Sequence, residues 1–156
     1  MTTATIQPPT SESVLELFEG LLGLDVTECG ASDEPVTSIA EYVDPDGQAV
    51  AYISCDLATG CRLGASLTQI PAGRVDESIS DGAIPESIAE NLDEVLNICV
   101  NLLSCDSGAR IVLGRTAHGT DSADFAALDS GRADLQKSSF SFEVQRYGTC
   151  QVEIAH

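Results

Sequence analysis

In the stretch ENLDEVLNICVNLL, Glu90, Glu94, Asn97 and Asn101 recur at intervals of four, three and four residues. Wound as an α-helix at about 100° per residue, the four fall within a band of roughly 60°. The stripe holds two carboxylates followed by two carboxamides, and no Lys or Arg stands in the segment to neutralise them. A carboxylate can pair with a cation. A carboxamide donates and accepts hydrogen bonds at once, so it can hold and orient a water without adding negative charge. Asn is also a below-average helix former, a small cost that Glu, Lys or Gln at the same places would avoid. Read alone, the stripe is equally the wet side of a helix whose other sides are buried.

Such a helix needs a core to lie on. Leu92, Val95, Leu96, Cys99, Val100, Leu102 and Leu103 cover most of the remaining circumference, more apolar surface than an ordinary surface helix displays. The helical pattern runs through PESIAENLDEVLNICVNLLS, with Pro85 at its first position, where a missing N–H costs nothing, and Gly108 closing it. Upstream, SESVLELFEGLLGL opens on a Ser or Thr cap and carries apolar residues at helical spacing as far as Gly23. The stretch SIAEYVDPDGQAVAYISCD alternates apolar and polar residues on both sides of Pro45-Asp46-Gly47, which predicts a β-hairpin. CRLGASLTQIP is expected as a third strand stopping at Pro71, followed by a polar connector through Gly82. After the second helix come a strand in ARIVLGRTAHG, a polar segment over 120–137 with room for a helical turn, and a hairpin of SFSFEVQR and TCQVEIAH about Tyr147-Gly148.

The order is helix and three strands, then helix and three strands again, the signature of an internal duplication. Laying ESVLELFEGLL over ENLDEVLNICV sets Glu12 on Glu90, Glu16 on Glu94 and Glu19 on Asn97. The fold class expected is therefore α+β: a pseudo-two-fold repeat of helix plus three strands, forming one sheet with the long helices packed on one face. A flexible N-terminal arm over 1–10, ended by Pro8 and Pro9, precedes a single domain over 11–156 with halves 11–70 and 84–156.

Composition narrows the partners. Seven Lys plus Arg against 25 Asp plus Glu leave a formal charge of -18, so nucleic acid and anionic membranes are not expected to bind. The opening MTTATIQPPTSES has neither a basic n-region nor an apolar core, so no secretory signal is expected and the cytoplasm is the expected location. Six cysteines without a C-x-x-C then read as reduced core thiols. With His118 and His156 as the sole histidines, a metal site lacks its usual ligand spacing.

The motif Glu94-Val95-Leu96-Asn97, within ENLDEVLNICVNLL, resembles the Glu-x-x-Asn site of the CheC/CheX/FliY family of chemotaxis phosphatases. The resemblance implies a phosphatase that docks on a phosphorylated receiver domain of the CheY type. Asn97 would insert beside the aspartyl phosphate and orient the attacking water, Glu94 would pair with the receiver's active-site Lys, and Glu90 and Asn101 would contact the partner. No cofactor of its own is implied, because the receiver supplies magnesium. In the first half Glu19 stands where double-site members repeat the Asn, and a carboxylate there repels phosphate, so one site is expected. One site and this length resemble the CheX branch, which implies a homodimer, with the exposed sheet edge of the second half as the expected pairing surface. The family's longer pattern has Asp or Ser where this chain has Glu90, and Pro where it has Thr120. Those two positions keep an alternative open, a non-catalytic chemotaxis or flagellar binding module on the same fold.

Other constellations carry less. Ser54-Cys55-Asp56 and Cys61 have no histidine in a context that argues for pairing. His118 in TAHGTDS could join Asp121 or Asp124 and a serine, but no G-x-S-x-G accompanies it. Asp121, Asp124, Asp129 and Asp134 lack calcium-loop spacing, so their segment is expected as a solvated loop.

Overall fold

The computed structural model describes residues 5–156. Of the expected N-terminal arm, residues 1–4 lie outside the described residues, while β1 (Ile6–Gln7) pairs antiparallel with β5 (Ser104–Cys105), and Ile6 is buried.

Helix α1 (Ser11–Leu22) starts on a reciprocal cap. The Thr10 hydroxyl accepts from the Ser13 N–H at 3.2 Å, and the Ser13 hydroxyl accepts from the Thr10 N–H at 3.0 Å. Gly23, at φ 67°, ends the helix in the left-handed conformation that L side chains resist. Val14, Phe18 and Leu22 form its buried stripe.

Six strands make one antiparallel sheet: β2 (Val26–Glu28), β3 (Val36–Val43), β4 (Ala49–Asp56), β6 (Val112–His118), β7 (Lys137–Val144) and β8 (Gly148–Ala155). Their spatial order is β2-β7-β8-β4-β3-β6. An axis between β8 and β4 exchanges β2 with β6, β3 with β7 and β4 with β8, so each half lends its first strand to the far edge of the other half. This is the two-fold repeat expected from the sequence. The β3–β4 turn is held by Asp44, whose Oδ1 accepts from the N–H groups of Asp46 and Gln48, both at 2.9 Å. In the β7–β8 turn Arg146 and Gly148 both take positive φ.

The membership of the first half differs from expectation in one strand. CRLGASL is not a strand but most of helix α2 (Leu57–Leu67), and the missing strand is the short β2. Cys61, Leu63, Ala65 and Leu67 alternate with Arg62, Gly64 and Ser66, which mimics a half-buried strand. The alternation misleads because Gly64 and Ser66 are themselves buried. The Asp56 carboxylate caps the helix, accepting from the Thr59 N–H at 2.7 Å.

Two further corrections follow the same logic. The expected connector before Gly82 is helix α3 (Ala72–Asp81), held by the buried Val75 and Ser78. The expected solvated loop over 120–137 contains helix α5 (Ala123–Arg132), capped by Ser122 and anchored by the buried Phe125 and Leu128. A few apolar anchors suffice to dock a short polar helix, because its exposed face asks for nothing but water.

The second long helix, α4 (Glu86–Ile98), is shorter than its apolar pattern. It tightens into a 3₁₀ turn over Cys99–Leu102, and Gly108 serves a later turn, donating its N–H to the Cys105 carbonyl at 3.1 Å. Pro85 stands at the N-cap, one place before the helix. Cys61, Ala65 and Ile88 cluster with Val75 of α3, while Val14 and Phe18 of α1, Leu63 of α2 and Leu92 and Val95 of α4 share one core with Ala40, Tyr42, Ile53 and Phe142 of the sheet. Helix α5 covers the opposite face, against Ile39 and Tyr52, which alternate with that core set along β3 and β4. The Phe18 and Phe142 rings stack across the main core with centroids 4.8 Å apart. Among the described residues, no helix is long and apolar enough to cross a membrane.

Candidate functional site

The core dictates which way α4 faces. Ile88, Leu92, Val95 and Leu96 are buried, which turns Glu90, Glu94 and Asn97 to solvent. Asn101 is exposed as well, but it sits on the 3₁₀ turn and its Nδ2 donates to the Ile98 carbonyl at 3.0 Å. Among the described residues no hydrogen bond or ion pair engages the side chains of Glu90, Glu94 or Asn97, whereas neighbours on the same helix are engaged. The structure therefore exposes all four predicted residues, and among the described residues three of them have no side-chain partner.

The flanks of the stripe are fixed to the rest of the domain. On one side Asn91 Nδ2 donates to the Gly64 carbonyl at 3.0 Å and to Thr68 Oγ1 at 2.8 Å, tying α4 to α2. A Cβ on Gly64 would lie 2.5 Å from the Ile88 carbonyl oxygen, so the two helices meet backbone to backbone. On the other side Asp93 Oδ1 accepts from Thr116 Oγ1 at 2.8 Å and contacts His118 Nε2 at 2.6 Å, tying α4 to β6. At the C-terminal end the buried Tyr42 hydroxyl donates to the Leu96 carbonyl at 2.5 Å. The Glu94–Asn97 turn is thus gripped from three directions.

The Asp93–His118 contact continues to Ser38, whose Oγ lies 2.9 Å from His118 Nδ1. Ser38, His118 and Asp93 form a connected chain, in place of the Asp121 or Asp124 pairing considered from sequence. Ser38 is 3% exposed, so no substrate can reach its hydroxyl. The chain is a strut, not a hydrolytic triad. Asp93 was in plain view beside Glu94, but no local pattern points from it to a strand 25 residues away.

The equivalent helix of the first half does not reproduce the site. Glu19, aligned with Asn97, accepts a hydrogen bond from the Val26 N–H at 3.4 Å. Thr120, where the family pattern has Pro, lies exposed in the turn after β6.

All six cysteines are free. Burial pushes the Cys61 thiol up to about 11 and the Cys99 thiol up to about 12. Burial likewise raises Cys55 and Cys150. These four are protonated core groups at neutral pH, not nucleophiles.

Beside Asn97 the surface sinks into a shallow depression of about 570 Å³, lined by Asn97, Val100, Asn101, Leu103, Arg110 and Val112 among others. Val112, at 40% exposure, is the one large apolar side chain left exposed among the described residues. Arg110 was not singled out from sequence, since an isolated Arg carries no motif.

The FliM middle domain of Vibrio alginolyticus superposes on this chain with a TM-score of 0.58 at 11% identity, covering 94% of this chain and 87% of that one. The chain shares the fold of the FliM middle domain. The corresponding domain from H. pylori gives a TM-score of 0.55 at 8% identity, over 94% of this chain and 84% of the other. CheX in its complex with CheY, BeF3 and magnesium from Borrelia burgdorferi gives 0.47 at 13% identity, over 93% and 91%. The FliM-type fold is consistent with the CheC/CheX/FliY resemblance carried by α4. The sequence matches no protein-family model and no curated protein.

Proposed function

We propose that the protein is a phosphatase acting on the aspartyl phosphate of a receiver domain, with Glu94 and Asn97 as its working pair. The observation that carries this reading is that both side chains are exposed and without a partner within the described residues, on a helix whose flanking residues are bonded into the fold. Phosphoryl transfer needs little covalent help from the catalyst, so placing a water in line and balancing charge can supply most of the rate. Asn97 would hold that water. Glu94 would pair with the receiver's lysine, while Glu90 and Asn101 widen the contact and the receiver brings the magnesium. An acidic surface suits a partner with basic groups around its site. The protein would work in the cytoplasm as a homodimer, for which β6, the sheet edge of the second half, offers unpaired backbone groups. Sedimentation as a monomer at micromolar concentration would remove the dimer.

A second reading, a docking module without hydrolysis, is favoured by Glu90, Thr120 and the engagement of the Asn101 amide with Ile98. The two part on one experiment, the dephosphorylation of receiver domains by wild type and by Asn97→Ala. Loss of phosphate accelerated by wild type alone supports the phosphatase. Equal receiver binding by both proteins, with no acceleration by either, supports the module.

A further inference from the structure

The formal charge of -18 sets a problem for any phosphate-bearing partner. A phosphoryl group is dianionic near neutral pH, and α4 presents Glu90 and Glu94 without a cation of its own. The receiver's magnesium and lysine offset part of this repulsion, and a cation on this chain beside Asn97 would add to the attraction.

Arg110 is placed to supply it. It lines the same depression as Asn97 and Asn101, and it is exposed. Most of the other cations are committed. Arg115 pairs with Glu41 and Asp124, Arg132 with Asp129 and Glu153, Arg62 donates to the Thr149 carbonyl, and Lys137 donates to the carbonyls of Ala133 and Leu135. Among the described residues Arg110 makes no ion pair and no side-chain hydrogen bond, so its guanidinium donors are free for a ligand. A planar guanidinium in the depression that Asn97 also lines can donate to the oxygens of a phosphoryl group, which accept several hydrogen bonds at once.

We propose that Arg110 recognises the phosphoryl group of the docked receiver and makes docking depend on phosphorylation. The inference rests on the receiver-binding reading above and deepens it, and it holds whether or not hydrolysis follows.

The test is binding of a receiver domain in two states, unmodified and activated with beryllofluoride and magnesium, to wild type, Arg110→Ala and Arg110→Lys. Wild type should prefer the activated receiver. Arg110→Ala should lose about tenfold or more of that preference, as expected for a charged hydrogen-bonding partner, because affinity falls more for the activated receiver than for the unmodified one. Arg110→Lys should restore part of it, because it returns the charge without the planar fork. Raised salt should erode the preference in wild type and leave Arg110→Ala nearly insensitive. An unchanged ratio in Arg110→Ala overturns the role of Arg110 and leaves the receiver reading intact. Wild type that binds no receiver in either state overturns both. Arg110 is exposed and without a partner within the described residues, so circular dichroism of the variants should match wild type.

Discussion

The Tyr42 hydroxyl, buried near the C-terminal end of β3, donates to the carbonyl of Leu96, the residue before Asn97. The bond satisfies one of the carbonyls left over where α4 tightens into its 3₁₀ turn. Burial, with Cys99 and Cys55 adding to it, raises the Tyr42 phenol well above its ordinary value, so it stays a donor at neutral pH. Tyr42→Phe should cost about 1–2 kcal/mol, because a buried carbonyl is left unsatisfied. The urea midpoint reads the loss, and amide exchange should speed up over residues 99–102 before the rest of α4. An unchanged midpoint would mean that Leu96 finds another donor.

The Asp93 strut makes a separate prediction. Asp93→Ala removes the acceptor of Thr116 and His118 together, whereas His118→Ala removes the links to Asp93 and Ser38 and leaves Thr116 bonded. Each substitution should cost about 1–2 kcal/mol. The double variant should cost less than the sum of the two, since both single variants break the Asp93–His118 link. Additive effects in thermal or urea denaturation would show that the strut does not act as a unit.

Glycine substitutions should have opposite signs in α2 and α1. Gly64→Ala places a methyl 2.5 Å from the Ile88 carbonyl oxygen and 2.8 Å from its Cγ2, so α2 and α4 must separate. A loss of about 2–3 kcal/mol is expected, with lowered cooperativity of unfolding. Gly20 lies on the exposed side of α1 with nothing within 4 Å. Gly20→Ala should gain about 0.5–1 kcal/mol from helix propensity. Equal effects at the two positions would contradict the close crossing of α2 and α4.

The buried thiols predict how stability depends on pH. Cys99 is raised from 9.0 to about 12 by burial, so the folded state holds its proton more tightly than the unfolded chain does. Its contribution is fully present below pH about 9 and is lost as pH rises toward 12, at up to about 1.4 kcal/mol per pH unit. Stability measured between pH 8 and 10.5 should fall, and Cys99→Ala should flatten that fall while lowering the plateau through the cavity it leaves. A pH slope identical in wild type and variant would show that Cys99 does not titrate in this range.

Reading along the chain exposes local and periodic information. The ends of α1, the hairpin turns and the α4 stripe were visible because each is set within a few residues: a Ser or Thr cap and Gly23, Pro45-Asp46-Gly47, and Glu90 through Asn97 at helical spacing. The repeat was visible because two runs of elements follow one order.

Burial and partnership, by contrast, are decided by chain segments far apart. Helix α2 looked like a strand because Gly64 reads as a gap in an alternating pattern, and only its crossing with Ile88 shows why a glycine stands there. Helices α3 and α5 looked like solvated loops because each holds on by few apolar residues, whose value depends on distant partners, α2 and α4 for Val75 and a sheet face for Phe125 and Leu128. Asp93, His118 and Ser38 belong to three elements, and Arg110 meets Asn97 only where a loop returns beside the 3₁₀ turn. The types and spacing of Glu94 and Asn97 were properties of the sequence by itself. Their rigid, unpartnered exposure was decided by the fold, because only packing from α2, β3 and β6 can fix the rotation of one helix.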